Sequence, residues 1–235
     1  MSIKAVLFDL DGTLLPMDQD KFVELYFGLL AKKMAPFGYN PEQYIKAIWA
    51  GTKEMIKNNG QATNEQVFFK KYSELFGEDA VKDEETLAEF YEKDFVKTQS
   101  ACQLDPETAN VIKKLKEMGV KVVVATNPIF PKVAIMHRIK WAGLNPDDFE
   151  HITHYGNSRF SKPNPNYYLD IAEKLGVKPE NCLMVGNDVS DDMPATKAGM
   201  KVFLKTRCLI NKLNEDITQY PNGDWDKFWD YFYTI

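Results

Sequence analysis

The sequence predicts an α/β fold, a parallel five-stranded sheet with an inserted group of four helices, and three observations carry that expectation. An apolar run at residues 3–8 gives way abruptly to Asp9 and Asp11, as a buried strand does on leaving a sheet. Four amphipathic segments then follow with no convincing strand between them. From Asp105 onward, helical and β-branched stretches alternate, the pattern of a sheet covered by helices.

The helical stretch is legible segment by segment. Phe22, Leu25, Tyr26, Leu29 and Leu30 recur at helical spacing, with Asp18 or Asp20 placed to cap the start. Asn40-Pro41 opens a second helix carrying Tyr44, Ile45, Ile48, Trp49, Met55 and Ile56, which ends near Gly60. Thr63-Asn64-Glu65-Gln66 has the form of a capping box ahead of Val67, Phe68, Tyr72, Leu75 and Phe76, and Gly77 is the expected C-terminal cap. Asp83 is expected to begin the fourth, with Leu87, Phe90, Tyr91 and Phe95 on one face. Four such helices joined by short turns read as a small bundle.

After it, Asp105-Pro106 starts a helix that runs to Met118 and stops at Gly119, and residues 121–125 read as a buried strand. The helix after Pro131 leads to a weaker strand at 151–155, and the helix at 166–175 leads to a strand at 182–185. A short helix around Ala195 precedes the last strand at 201–204, and residues 225–232 are expected to form a docking helix. Strands separated by helices pair in parallel through right-handed crossovers.

Composition narrows the function. With 235 residues, 44% hydrophobic and 27% charged, the chain can bury one large core, or a core and a smaller second unit. A net charge of -5, with Lys32-Lys33, Lys70-Lys71 and Lys113-Lys114 as isolated pairs, argues against nucleic acid as a partner. No apolar run approaches the ~20 residues of a membrane span, and Asp9 and Asp11 interrupt the start where a signal peptide would be apolar. A cytoplasmic location is the expectation. Cys102, Cys182 and Cys208 are odd in number and far apart, so they are expected to be buried or half-buried thiols.

Chemistry gathers just beyond the strand ends. Asp9 and Asp11 follow the first strand, Thr126 and Asn127 the second, and Gly186, Asn187, Asp188, Ser190, Asp191 and Asp192 the strand at 182–185. Ser161-Lys162-Pro163 stands directly before a helix. Clustered carboxylates repel unless a cation joins them, and oxygen-only ligation suits Mg²⁺ better than zinc.

The ordered set Asp9-x-Asp11-Gly12-Thr13, Thr126-Asn127, Lys162-Pro163 and Gly186-Asn187-Asp188-x-x-x-Asp192 resembles the haloacid dehalogenase superfamily of hydrolases over nearly the whole chain. The resemblance implies a Rossmann-like core at 1–15 plus 101–235, a mobile helical cap at 16–100, and phosphatase activity through an aspartyl-phosphate. Thr126 and Lys162 lie too close in sequence for a large second cap between them. By the same resemblance Asp9 is the nucleophile, and Asp11 the acid that protonates the leaving oxygen and later activates water. Thr126 and Asn127 bind phosphoryl oxygens, and Lys162 offsets charge building on Asp9 and those oxygens. Asp9, the carbonyl of Asp11 and Asp188 hold Mg²⁺, while Asp192 is either a second acid at the metal or a partner of Lys162.

Many members have Gly-Asp where this chain has Gly186-Asn187-Asp188. Pairing Asp188 with Asp192 and pairing Asn187 with Asp191 both keep the spacing, and the first supplies a charged ligand where the second supplies an amide. The expected substrate is a small phosphorylated metabolite that the cap encloses. A dehalogenase, a phosphomutase and a phospho-accepting signalling module are the competing readings. Dehalogenases need only the nucleophile, so Asp11 favours phosphoryl chemistry, and a signalling module has no use for the helical insert. His137, His151 and His154 are read as structural, Phe22 and Tyr26 as insert core with a chance of facing substrate, and Arg159 as a secondary candidate for an anionic substrate group.

Overall fold

The computed structural model describes residues 2–77 and 79–235, the side chains of 79–82 excepted. Six parallel strands make up its sheet: β1 (Ala5–Phe8), β2 (Lys121–Val124), β3 (His151–Ile152), β4 (Cys182–Gly186), β5 (Lys201–Lys205) and β6 (Asn222–Gly223), in the order β3-β2-β1-β4-β5-β6. The expected five strands are therefore one short. Pro221, just before β6, and Gly223 within it accept from Leu204 and Thr206, and a two-residue strand with no apolar pattern gives no sequence signal. The third strand is shorter than 151–155 because Tyr155 N donates to Phe130 O, drawing the chain off the sheet.

Alternation along each strand sends side chains to opposite faces, and both faces are covered. Val6, Phe8, Val124, Val185 and Phe203 pack on one side with α5 (Pro106–Glu117), α6 (Lys132–Trp141) and α8 (Trp225–Phe232). Leu7, Val123, Met184 and Leu204 pack on the other with Tyr168, Ile171 and Leu175 of α7 (Pro165–Leu175). The fully buried Phe228 of α8 contributes roughly 1.5–3 kcal/mol by that burial alone. Trp225 Nε1 fixes the helix further by donating 3.0 Å to the buried Asp105. The short helix around Ala195 is a 3-10 helix, Met193–Ala198, capped by left-handed Gly199.

Between β1 and α5 lie α1 (Gln19–Met34), α2 (Pro41–Ile56), α3 (Asn64–Phe76) and α4 (Asp79–Glu89), followed by a π-helical turn at Phe90–Asp94 and a 3-10 helix at Phe95–Ala101. Asp18, Asn40 and Thr63 cap the first three, and Thr63 with Gln66 forms the reciprocal capping box. Asp83 does not start the fourth helix. It lies inside α4, buried, where it accepts 2.6 Å bonds from Tyr39 and Tyr72. No helix among the described residues is long and apolar enough to cross a membrane. Cys182 is buried, Cys102 and Cys208 are half-buried, and all three are free thiols.

Candidate active site

The register Phe8↔Val124 and Phe8↔Val185 makes the C-terminal ends of β2, β1 and β4 level, so the three loops open at one edge. Chain order reverses at β1, where an open α/β sheet splays its loops and leaves a crevice. Asp9 leaves β1 there, its N–H donating 2.9 Å to Val185 O. The following turn closes through Thr13 and Leu15 N–H bonds to Leu10 O. Gly12 sits in it at φ +91°, and a Cβ there would lie 2.3 Å from Asn187 Nδ2, so only glycine fits.

Lys162 joins the two acidic loops. Its Nζ donates 2.8 Å to Asp9 Oδ1 and 2.6 Å to Asp192 Oδ1, and both Lys162 and Asp192 are 1% exposed. Burial pulls the ammonium down, but Asp192 and Asp9 outweigh it and hold the pKa well above the ordinary lysine value. Burial pushes the Asp9 carboxyl up; Lys162 opposes this, and Asp192 and Asp11 add to it.

The loop after β4 sorts its polar groups by direction. Asn187 is buried, and both ends of its amide are engaged: Oδ1 accepts 2.8 Å from Thr13 Oγ1 and Nδ2 donates 2.7 Å to Cys208 O. A carboxylate could accept from Thr13 but would oppose the Cys208 carbonyl. Asp192 Oδ2 accepts 2.9 Å from Asp188 N, so both of its oxygens are taken. Asp188 Oδ1 accepts from Ser190 and Asp191 N–H groups, and the residue lines the cavity above Asp9. Burial raises the Asp188 carboxyl, with Asp191 adding to it, and burial likewise raises Asp191. Thr126 and Asn127 line the same cavity; the Thr126 carbonyl is held by 2.8 Å bonds from Thr153 and Tyr167, and Asn127 Nδ2 donates 3.2 Å to Asp191.

Asp9, Asp11, Thr126, Asn127, Lys162, Asp188 and Asp192 thus line one cavity, and residues 3–199 match the sequence model of haloacid dehalogenase-like hydrolases. The chain belongs to that hydrolase family.

Its relatives span similar lengths. A phosphoglycolate phosphatase of Aquifex aeolicus is 25% identical over 219 residues, covering 93% of this chain and 91% of the relative. A glyceraldehyde 3-phosphate phosphatase of Methanopyrus kandleri is 28% identical over 204 residues, covering 84% and 82%. Among solved structures, a haloacid dehalogenase-type phosphatase from Thermococcus onnurineus superposes with a TM-score of 0.59 over 96% of this chain and 95% of its own, at 23% identity. That likeness shows the shared Rossmann-like fold.

Two residues of this hydrolase stand out only in three dimensions. Arg138, on α6 and 0% exposed, pairs through Nη1 with Asp11 Oδ2 and donates from Nε to Ala134 O. Its guanidinium lies 4.5 Å from the Phe130 ring centre and 5.8 Å from that of Phe22. Burial raises the Asp11 carboxyl, and Arg138 and then Lys162 oppose it. One arginine on a helix with apolar and basic residues intermixed has no sequence mark to set it apart from a solvated one.

Asn64 begins α3 and is fully buried. Its Nδ2 donates 3.0 Å to Pro128 O and 3.0 Å to Ser161 Oγ, and Oδ1 accepts 2.8 Å from Asn58. Ser161 in turn donates to Met55 O of α2. One side chain therefore ties the inserted helices to the loops carrying Asn127 and Lys162.

The remaining candidates sort simply. Phe22 and Tyr26 both line the cavity, whereas Arg159 pairs with Asp170 at 3.0 Å and is not part of the lining. His137 stacks on Trp141, and burial lowers the pKa of His151 and His154.

Proposed function

We propose that this hydrolase is a Mg²⁺-dependent phosphatase acting on a small phosphomonoester through an aspartyl-phosphate on Asp9. The observation that carries the reading is Lys162, held between Asp9 and Asp192 at the floor of a cavity that Asp11 also lines. The phosphatase names of relatives that span this chain nearly end to end support it.

In the first displacement an Asp9 oxygen attacks phosphorus, the bond to the ester oxygen breaks, and Asp11 gives that oxygen its proton. Water then attacks the same phosphorus, Asp11 takes a water proton, and the bond to Asp9 breaks to restore the carboxylate. Burial pushes the Asp11 carboxyl up and so favours its proton-carrying form, while Arg138 limits that rise and aims the group. Lys162 with Thr126 and the backbone around Asn127 receives charge on the transferring oxygens.

Asp9, Asp188 and the Asp11 carbonyl would hold Mg²⁺, which supplies the positive charge that the raised Asp9 and Asp188 carboxyls call for. Mg²⁺ needs only one or two carboxylates and keeps several waters. Asp192, with both oxygens engaged, serves Lys162 and not the ion. Residues 16–100 act as the cap over a core of 1–15 plus 101–235, and closure shields the reacting phosphoryl group from bulk solvent while keeping the one water that attacks it.

Purified protein should release phosphate from an aryl phosphate with Mg²⁺, lose that activity with excess chelator, and be inactive as Asp9→Asn. Turnover by Asp9→Asn, or full activity without any divalent ion, would overturn the proposal.

A further inference from the structure

The cavity over Asp9 extends well beyond the phosphoryl site. Its volume is about 660 Å³, within the size range of small-molecule pockets. Above the catalytic loops the wall is aromatic, with Phe27, Trp49, Phe69, Tyr91 and Phe130 contributing from the inserted helices and the loop after β2. The Trp49 and Phe27 rings lie 5.2 Å apart, and Trp49 is half exposed at the wall although it is the largest apolar side chain there. The hydroxyls of Tyr91 and Tyr26 bond each other at 2.8 Å, so both polar tips already have a partner within the protein.

Charge on this wall has one sign. Half-buried Glu65 and, at the solvent side, exposed Glu84 and Glu92 line it, in addition to the aspartates of the floor. Among the described residues the cations lining the cavity are Lys162, committed to Asp9 and Asp192, and Lys212, whose charge opposes the rise of the Asp191 carboxyl. Arg138 is sealed behind Phe22 and Phe130 and committed to Asp11. A second carboxylate or phosphate on the substrate would meet glutamates on the aromatic wall.

We infer that the substrate is a phosphomonoester whose organic group is a planar aromatic ring, uncharged or cationic, with no negative charge beyond the phosphoryl group. Aromatic faces stack such a ring and attract a cation on it, and the glutamates repel an anion. This rests on the phosphatase reading above. It also separates the chain from the relative named a phosphoglycolate phosphatase, whose named substrate carries a carboxylate.

Benzyl phosphate, 4-(aminomethyl)benzyl phosphate and 4-carboxybenzyl phosphate share a ring and a leaving alcohol and differ in charge. Their kcat/KM values, with ethyl phosphate and phosphoglycolate alongside, provide the test. The aminomethyl and plain benzyl esters should exceed the carboxybenzyl ester and phosphoglycolate by at least about tenfold, with the difference mainly in KM. Ethyl phosphate should fall below benzyl phosphate, and Trp49→Ala should narrow that gap. A double Glu84→Gln, Glu92→Gln variant should raise the relative rate on the carboxybenzyl ester. Phosphate release that is equal or faster with the carboxybenzyl ester or phosphoglycolate would overturn the inference and leave the phosphatase reading intact. Absence of phosphate release from every ester would overturn both.

Discussion

Asn64→Asp keeps the shape of a buried side chain and reverses one of its two polar ends. The amide nitrogen that donates to Pro128 O and Ser161 Oγ becomes a second acceptor, while the oxygen facing Asn58 is retained. Two lost hydrogen bonds at about 1 kcal/mol each, with about 1 kcal/mol for leaving the Pro128 carbonyl without this donor, give roughly 3 kcal/mol. An acidic residue in the first turn of α3 returns about 0.5 kcal/mol. The resulting loss of about 2.5 kcal/mol is a floor, because a carboxylate is also being buried. For a chain of this length that is a fall in Tm of roughly 5–10 °C, measured by circular dichroism or calorimetry. Because Pro128 and Ser161 adjoin Asn127 and Lys162, kcat/KM should fall at least about tenfold as well. A Tm within about 2 °C of the parent with unchanged kinetics would refute the view that this side chain locks the inserted helices to the catalytic loops.

Other substitutions separate the remaining roles. Arg138→Met strips the partner from a largely buried Asp11 and should cost about 3 kcal/mol of stability by denaturant titration, with a larger proportional loss in kcat than in KM. Asp188→Asn should raise the Mg²⁺ concentration for half-maximal activity at least about tenfold, since it removes a charged ligand. Asn187→Asp should not lower that requirement; it should instead destabilise by about 1–3 kcal/mol through the opposed Cys208 carbonyl. The reverse result at these two positions would move the metal ligand to residue 187.

Much of this arrangement is legible in the sequence because it depends on local signals. The strands that carry Asp9, Thr126 and Asn187 are β-branched or apolar runs bounded by polar turns, and the caps at Asp18, Asn40 and Thr63 act within one helical turn. What escaped depends on distant partners. Asp83 has the look of a helix start, but its carboxylate is an acceptor for two tyrosines from elsewhere in the insert. Asn64 is visible as part of a capping box, while its side chain works across to Pro128 and Ser161. Arg138 is separated from Asp11 by the whole inserted stretch of helices, and only folding brings the pair together. The ambiguity between Asn187 and Asp188 is likewise spatial, turning on which way each side chain leaves the loop after β4.

The central claim is that Asp9 carries the phosphoryl group. Rapid acid quenching of the enzyme during turnover of benzyl phosphate with Mg²⁺, followed by peptide mass spectrometry, tests it directly. The peptide containing Asp9 should gain the mass of one phosphoryl group, and the same peptide from Asp9→Asn should not. Phosphate release at the full rate with no phosphoryl group on Asp9, or with the group on another residue, would contradict the account.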